Sequence, residues 1–127
     1  MKRLIISCLL ILLLVGLATL HVLHLHDLTD DLIGQLENVR SALDRSDWTE
    51  AQLMTERIFE QWESHAFYLH TTLRHTEIDE IRSSFKEAQA YLERREDTAE
   101  CLAVAARLIN QLELLLEAEL PTIKNLL

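Results

Sequence analysis

Asp47–Glu63 reads DWTEAQLMTERIFEQWE, and fifty positions later Asp97–Glu113 reads DTAECLAVAARLINQLE. Asp, Glu, Arg, Gln and Glu recur at matching places: Asp47/Asp97, Glu50/Glu100, Arg57/Arg107, Gln61/Gln111 and Glu63/Glu113. Most of the positions between them stay apolar. Each copy opens with Asp and places Glu three residues on, the spacing at which a carboxylate caps first-turn amides and the Glu reaches back. Both stretches are therefore predicted to start helices. Shared capping and amphipathic demands are enough to produce five identities in seventeen pairs, so the repeat argues for architecture before it argues for duplication.

The pattern extends outward in both directions. Before Asp47, the residues Leu28, Leu32, Leu36, Val39 and Leu43 step by 4, 4, 3 and 4, one helical stripe. This first helix either continues from the preceding apolar run or restarts at Asp27 or Thr29. After Asp47, a helix of about 27 residues is predicted by its stripe of Trp48, Ala51, Ile58, Phe59, Trp62, His65, Ala66, Leu69 and Leu73. A turn is expected at His75-Thr76, with Thr76 and Asp79 as a further capping pair. Ile78, Ile81, Phe85, Ala88 and Leu92 mark a third helix that stops in Glu93-Arg94-Arg95-Glu96. The fourth begins at Asp97, and Pro121 is expected to end it or to open a last short turn. An amphipathic hairpin cannot bury its stripe alone, so two antiparallel helical hairpins are predicted to pack as a four-helix, all-α domain over residues 27–127.

Composition agrees. The 127 residues include two Gly and one Pro, too few for long loops of the kind that carry catalysis. Net charge is −9; Lys2 and Arg3 stand before the domain, so the chain after residue 26 carries −11. Such a surface repels phosphate backbones and anionic lipid headgroups, which argues against nucleic-acid binding and against peripheral docking by the folded part. Cys8 and Cys101 are poorly placed to pair, and Cys101 reads as a small buried hydrophobe.

Residues 1–26 form a separate unit, MKRLIISCLLILLLVGLATLHVLHLH. From Leu4 to Leu25 no Asp, Glu, Lys or Arg interrupts the run, and 22 helical residues reach roughly 33 Å, enough to cross a bilayer's hydrocarbon core. Lys2 and Arg3 before it, against Asp27, Asp30 and Asp31 after it, predict a cytoplasmic N-terminus and an extracytoplasmic domain. The alternative is a signal peptide cleaved after Ala18, since Gly16 and Ala18 have the small side chains that cleavage requires. The apolar run continues past Ala18, which favours an uncleaved anchor.

With these residues in place the chain resembles domain of unknown function family 4363, small membrane-anchored helical proteins of Gram-positive spore-forming bacteria. The resemblance rests on the MKRLIIS start, Asp47-Trp48 with Ala51, Trp62, His75-Thr76-Glu77-Ile78-Asp79, and Ile123-Lys124-Asn125-Leu126-Leu127. It implies a membrane location and an all-helical fold, and carries over no activity.

Candidate chemistry is sparse. There is no Gly-rich phosphate loop, CxxC, HExxH or nucleophile elbow, and no catalytic residue, cofactor, metal ligand set or small-molecule substrate is assigned. His65, His70 and His75 recur every five residues, a step of about 140° that would spread them round a single helix. His75, Glu77 and Asp79 are the one candidate turn or cation site. Leu53, Phe67 and Tyr68 fall off the second helix's stripe, and Leu114 does the same on the fourth. A two-sided helix is either central in its bundle or exposes a docking patch, so these four are the candidate partner-binding residues. The expected function is a non-enzymatic, single-span membrane protein that binds an envelope protein. The alternative is a cation or pH sensor built from the histidines and acidic groups.

Overall fold

In the computed structural model, residues 1–126 other than 74 and 96 are described, with 66, 72 and 119–126 described for their backbone alone. The described residues form five α-helices: α1 Lys2–Asp44, α2 Trp48–Ser64, α3 Ala66–Thr72, α4 His75–Arg94 and α5 Thr98–Leu126. α1 packs along α2 and α5, α4 packs along the same two helices, and short α3 touches α2 and α4.

The repeated Asp explains two of the turns. Asp47 caps α2 by accepting from the Glu50 amide at 3.2 Å. Asp97 accepts from the amides of Ala99 at 2.9 Å and Glu100 at 3.3 Å. Each cap follows a left-handed residue, Ser46 at φ 58° and Arg95 at φ 53°. At the first turn the Ser46 amide donates to the Leu43 carbonyl and the Asp47 amide to that of Ala42. These bonds satisfy carbonyls left open at the end of α1. A left-handed Ser is strained where Gly is not. Ser46→Gly is expected to stabilise the domain by about 0.5–1 kcal/mol, measured as a higher denaturant midpoint at unchanged slope.

α1 is one unbroken helix of 43 residues, roughly 65 Å long. Its two halves differ. The twelve Leu and Ile side chains from Leu4 to Leu23 are each between 53% and 67% exposed. From Val22 onward the same helix supplies core: Leu25, Leu28, Leu32, Leu36, Val39, Ala42 and Leu43 are buried. This half meets Ala51, Ile58 and Trp62 of α2, Ile81, Phe85 and Leu92 of α4, and Val104, Leu108 and Leu112 of α5 in one hydrophobic cluster. Buried Thr29 and Thr55 return their hydroxyls to their own helices, at the Leu25 carbonyl (2.9 Å) and the Ala51 carbonyl (2.8 Å). Outside the core, Gln61 of α2 donates to Asp31 of α1 at 2.7 Å, and Gln35 donates to Gln61 at 2.8 Å.

Three expectations about helix ends change. The second helix is not continuous. It stops at Ser64 and resumes as α3, with His65 between them at φ −101°, ψ 4°. The His65 ring nitrogen Nδ1 lies 2.9 Å from the Gln61 carbonyl and 3.2 Å from Ser64 Oγ. Side-chain bonding to the last turn competes with helix continuation there. Thr76 does not cap the next helix, because α4 already begins at His75. The α5 backbone runs through Pro121 to Leu126. Proline removes one amide donor, which bends a helix without necessarily ending it.

Cys8 is exposed and Cys101 buried, both as free thiols. Burial, then the nearby Asp97 and Glu100 carboxylates, push the Cys101 thiol above its ordinary range. Its alkylation by iodoacetamide is expected to run roughly tenfold slower in the folded domain than in denaturant. Stability is expected to fall as pH rises past about 8.5, where the unfolded thiol ionises and the folded one does not.

Candidate functional site

Among the described residues, only three large hydrophobic side chains outside the exposed half of α1 are themselves exposed: Leu53 at 41%, Phe67 at 87% and Leu114 at 53%. All three were singled out by their position off the helical stripes. They do not form one patch. Leu53 lies on α2, in the part of the bundle nearer the α1–α2 turn. Leu114 shares a groove between α4 and α5 with Glu77, Glu80, Ile81, Gln111 and Leu115. The Gln111 Oε1 atom is buried there with no hydrogen-bond donor among the described residues. Phe67 is on α3, where the other side of the helix inserts Leu69, and Leu73 just beyond it, into the core.

Tyr68, next to Phe67, turns toward α1. Its hydroxyl hydrogen-bonds to the His21 ring, and its ring stands edge-on to His24 with centroids 5.0 Å apart. His24 also faces His65 at 5.7 Å. On the other side of α3, the rings of His70 and His75 stack at 5.2 Å, with their Nδ1 atoms 3.0 Å apart. All six histidines of the chain therefore sit where α1 leaves the bundle, at the α2–α3 joint, or at the α3–α4 joint. A single 27-residue helix would have scattered His65, His70 and His75. The interruptions at His65 and beyond Thr72 reset the helical phase, so that His65 faces His24 of α1 and His70 meets His75.

The candidate turn site is divided by the same geometry. His75 pairs with His70, Glu77 lines the groove beside Leu114, and Asp79 lines a neighbouring open surface with Thr76, Glu80, Ser83 and Glu87. Among the described residues no group of three His, Cys, Asp or Glu side chains is placed to hold a metal ion. The rest of the α4 surface is tied to its neighbours by ion pairs, Arg82–Glu63 at 3.1 Å to α2 and Arg107–Glu87 to α5. Exposed pairs of this kind contribute little to stability.

At this end of the bundle the exposed apolar side chains of α1 give way to aromatic and imidazole rings, Tyr68 with His21 and His24. The N-terminal half of α1 is long and apolar enough to cross a membrane. Comparison with curated proteins and with solved structures gives no match to the chain. A family model does match, over residues 19–126, which takes in the last turns of the exposed run and nearly all of the bundle. The chain belongs to that family, described as Domain of unknown function (DUF4363).

Proposed function

We propose that this is a single-pass membrane protein whose acidic helical domain is held on the outer face of the cell membrane, where it binds another envelope protein without catalysing a reaction. The helices pair as two antiparallel hairpins, α1 with α2 and α4 with α5. The observation that carries this reading is the exposed apolar half of α1, continuous with a half that is core. A soluble domain does not leave twelve large aliphatic side chains of one helical segment more than half exposed, whereas a bilayer solvates them. Lys2 and Arg3 favour a cytoplasmic N-terminus. Anchoring confines the search for a partner to two dimensions and raises effective concentration. Leu53 on α2 and Leu114 on α5 are the apolar contacts the domain offers such a partner.

Trypsin added to intact protoplasts tests the topology. It is expected to cut the domain, which carries Arg and Lys on every long helix. A domain spared until lysis would place it inside the cell and end this reading. The same blot reports whether residues 1–18 are retained.

A second reading, a cation or pH sensor, is favoured by one observation, the His70–His75 pair. The two rings face each other with their Nδ1 atoms 3.0 Å apart, and a neutral imidazole nitrogen is a common metal ligand. If this pair senses zinc, the full chain in detergent gains thermal stability on titration with zinc, and His70→Ala abolishes the gain. No shift with zinc removes the metal form of this reading.

A further inference from the structure

α3 carries an exposed apolar side chain, Phe67, beside the Tyr68 that meets α1 where it emerges from the bundle. We propose that α3 rests in the headgroup–acyl boundary of the bilayer that α1 crosses, with Phe67 as the inserted side chain. The inference depends on the anchoring of α1 proposed above. Three observations support it. The first is position. Tyr68 contacts His21 and His24, on either side of Leu23, the last of the exposed aliphatic side chains. Because α1 is unbroken through this point, a bilayer that covers Leu4–Leu23 ends at the level of α3. The second is exposure. Phe67, at 87%, is the most exposed large hydrophobic side chain outside the apolar run among the described residues, and interfacial helices place Phe, Trp or Leu at this depth. The third is charge. The chain beyond residue 26 carries −11, yet the thirteen residues Ser64–Thr76 contain no Asp or Glu and one Arg. An acidic domain is repelled by a lipid surface, and this stretch lacks the groups that cause repulsion. The occupant is a lipid interface recognised by apolar contact.

The test uses the full chain reconstituted in phosphatidylcholine vesicles. With Cys8→Ser and Cys101→Ala as background, an environment-sensitive fluorophore is placed at Thr71→Cys. Thr71 is exposed, one helical turn from Phe67, so Phe67 itself stays intact. Two controls carry the same label, Leu12→Cys in the apolar run and Ser46→Cys at the opposite end of the bundle. Lipid with a nitroxide near the headgroup is expected to quench the Thr71→Cys label at least twofold and leave the Ser46→Cys label unchanged. Adding Phe67→Asp is expected to abolish most of that quenching while far-UV circular dichroism stays the same. An unquenched label at 71 beside a quenched label at 12 overturns the lipid contact of α3 and leaves the anchor standing. A label at 12 that lipid nitroxides at any depth fail to quench overturns both. A label at 71 shielded from aqueous iodide yet untouched by the nitroxide lipid overturns the proposal in favour of a protein contact, a second copy included.

Discussion

Trp62→Ala is expected to destabilise the domain by about 3–5 kcal/mol, the largest loss from any single truncation in the bundle. Trp62 is 1% exposed, and its ring lies 6.2 Å from that of Phe85, itself fully buried. Phe59 approaches Phe85 from the same helix at 5.6 Å, so three aromatic rings form the contact between α2 and α4. Removing the largest of them leaves a cavity that two helices on a rigid frame cannot close. A domain of this size has a total stability on the order of 5–15 kcal/mol, so the variant stands near the limit of folding. Thermal unfolding followed by far-UV circular dichroism is expected to shift down by roughly 15–30 °C. Phe67→Ala supplies the contrast: it also removes an aromatic ring, but an exposed one, and is expected to change stability by less than about 0.5 kcal/mol. Equal losses for the two variants would show that α2 does not present Trp62 to the core.

The second large effect concerns the other half of α1. Leu10→Lys with Leu13→Lys puts two ammonium groups in the middle of the exposed run, at side chains 54% and 58% exposed in the protein that a bilayer would cover. Each costs about 2.5–3.5 kcal/mol at the centre of a spanning helix, so the pair shifts the balance between inserted and free chain by roughly a thousandfold or more. The full-length variant is expected to leave the membrane fraction on alkaline extraction, where the unaltered chain stays. Leu53→Lys, on the exposed surface of α2, is expected to leave that partition unchanged. Retention of the double-lysine variant would sink the anchor reading, and with it the proposed envelope role.

The parts of this structure legible in the sequence are those set by local chemistry. Asp47 and Asp97 announce helix starts because a carboxylate finds first-turn amides wherever it precedes a helix. The stripe from Leu28 to Leu43 reads as core because its period is the helix's own. Leu53, Phe67 and Leu114 stand out because they break such stripes, and each is exposed. Of the two explanations for the off-stripe residues of the second helix, central packing does not hold for Leu53 and Phe67, which are exposed. The break at His65 was not legible. No Gly or Pro lies between Gln61 and Leu73, and the helix yields there to its own side-chain bonds and to the pull of Leu69 and Leu73 into the core. Everything specific to the candidate site follows from that break: the turning of Tyr68 onto α1, the outward Phe67, and the meeting of His70 with His75. Periodicity assumes one phase along a helix, and a phase reset by tertiary packing leaves no mark in it.

The absence of any joint between the two halves of α1 has a mechanical consequence. A spanning segment commonly inclines by about 20° and adjusts its lean to bilayer thickness. With no hinge at the surface, the lean passes undiminished into the stem of the domain, whose remaining length is roughly 30 Å. The far tip then sweeps roughly 10 Å sideways for such a lean, so a thicker or thinner lipid sheet re-aims whatever the tip presents.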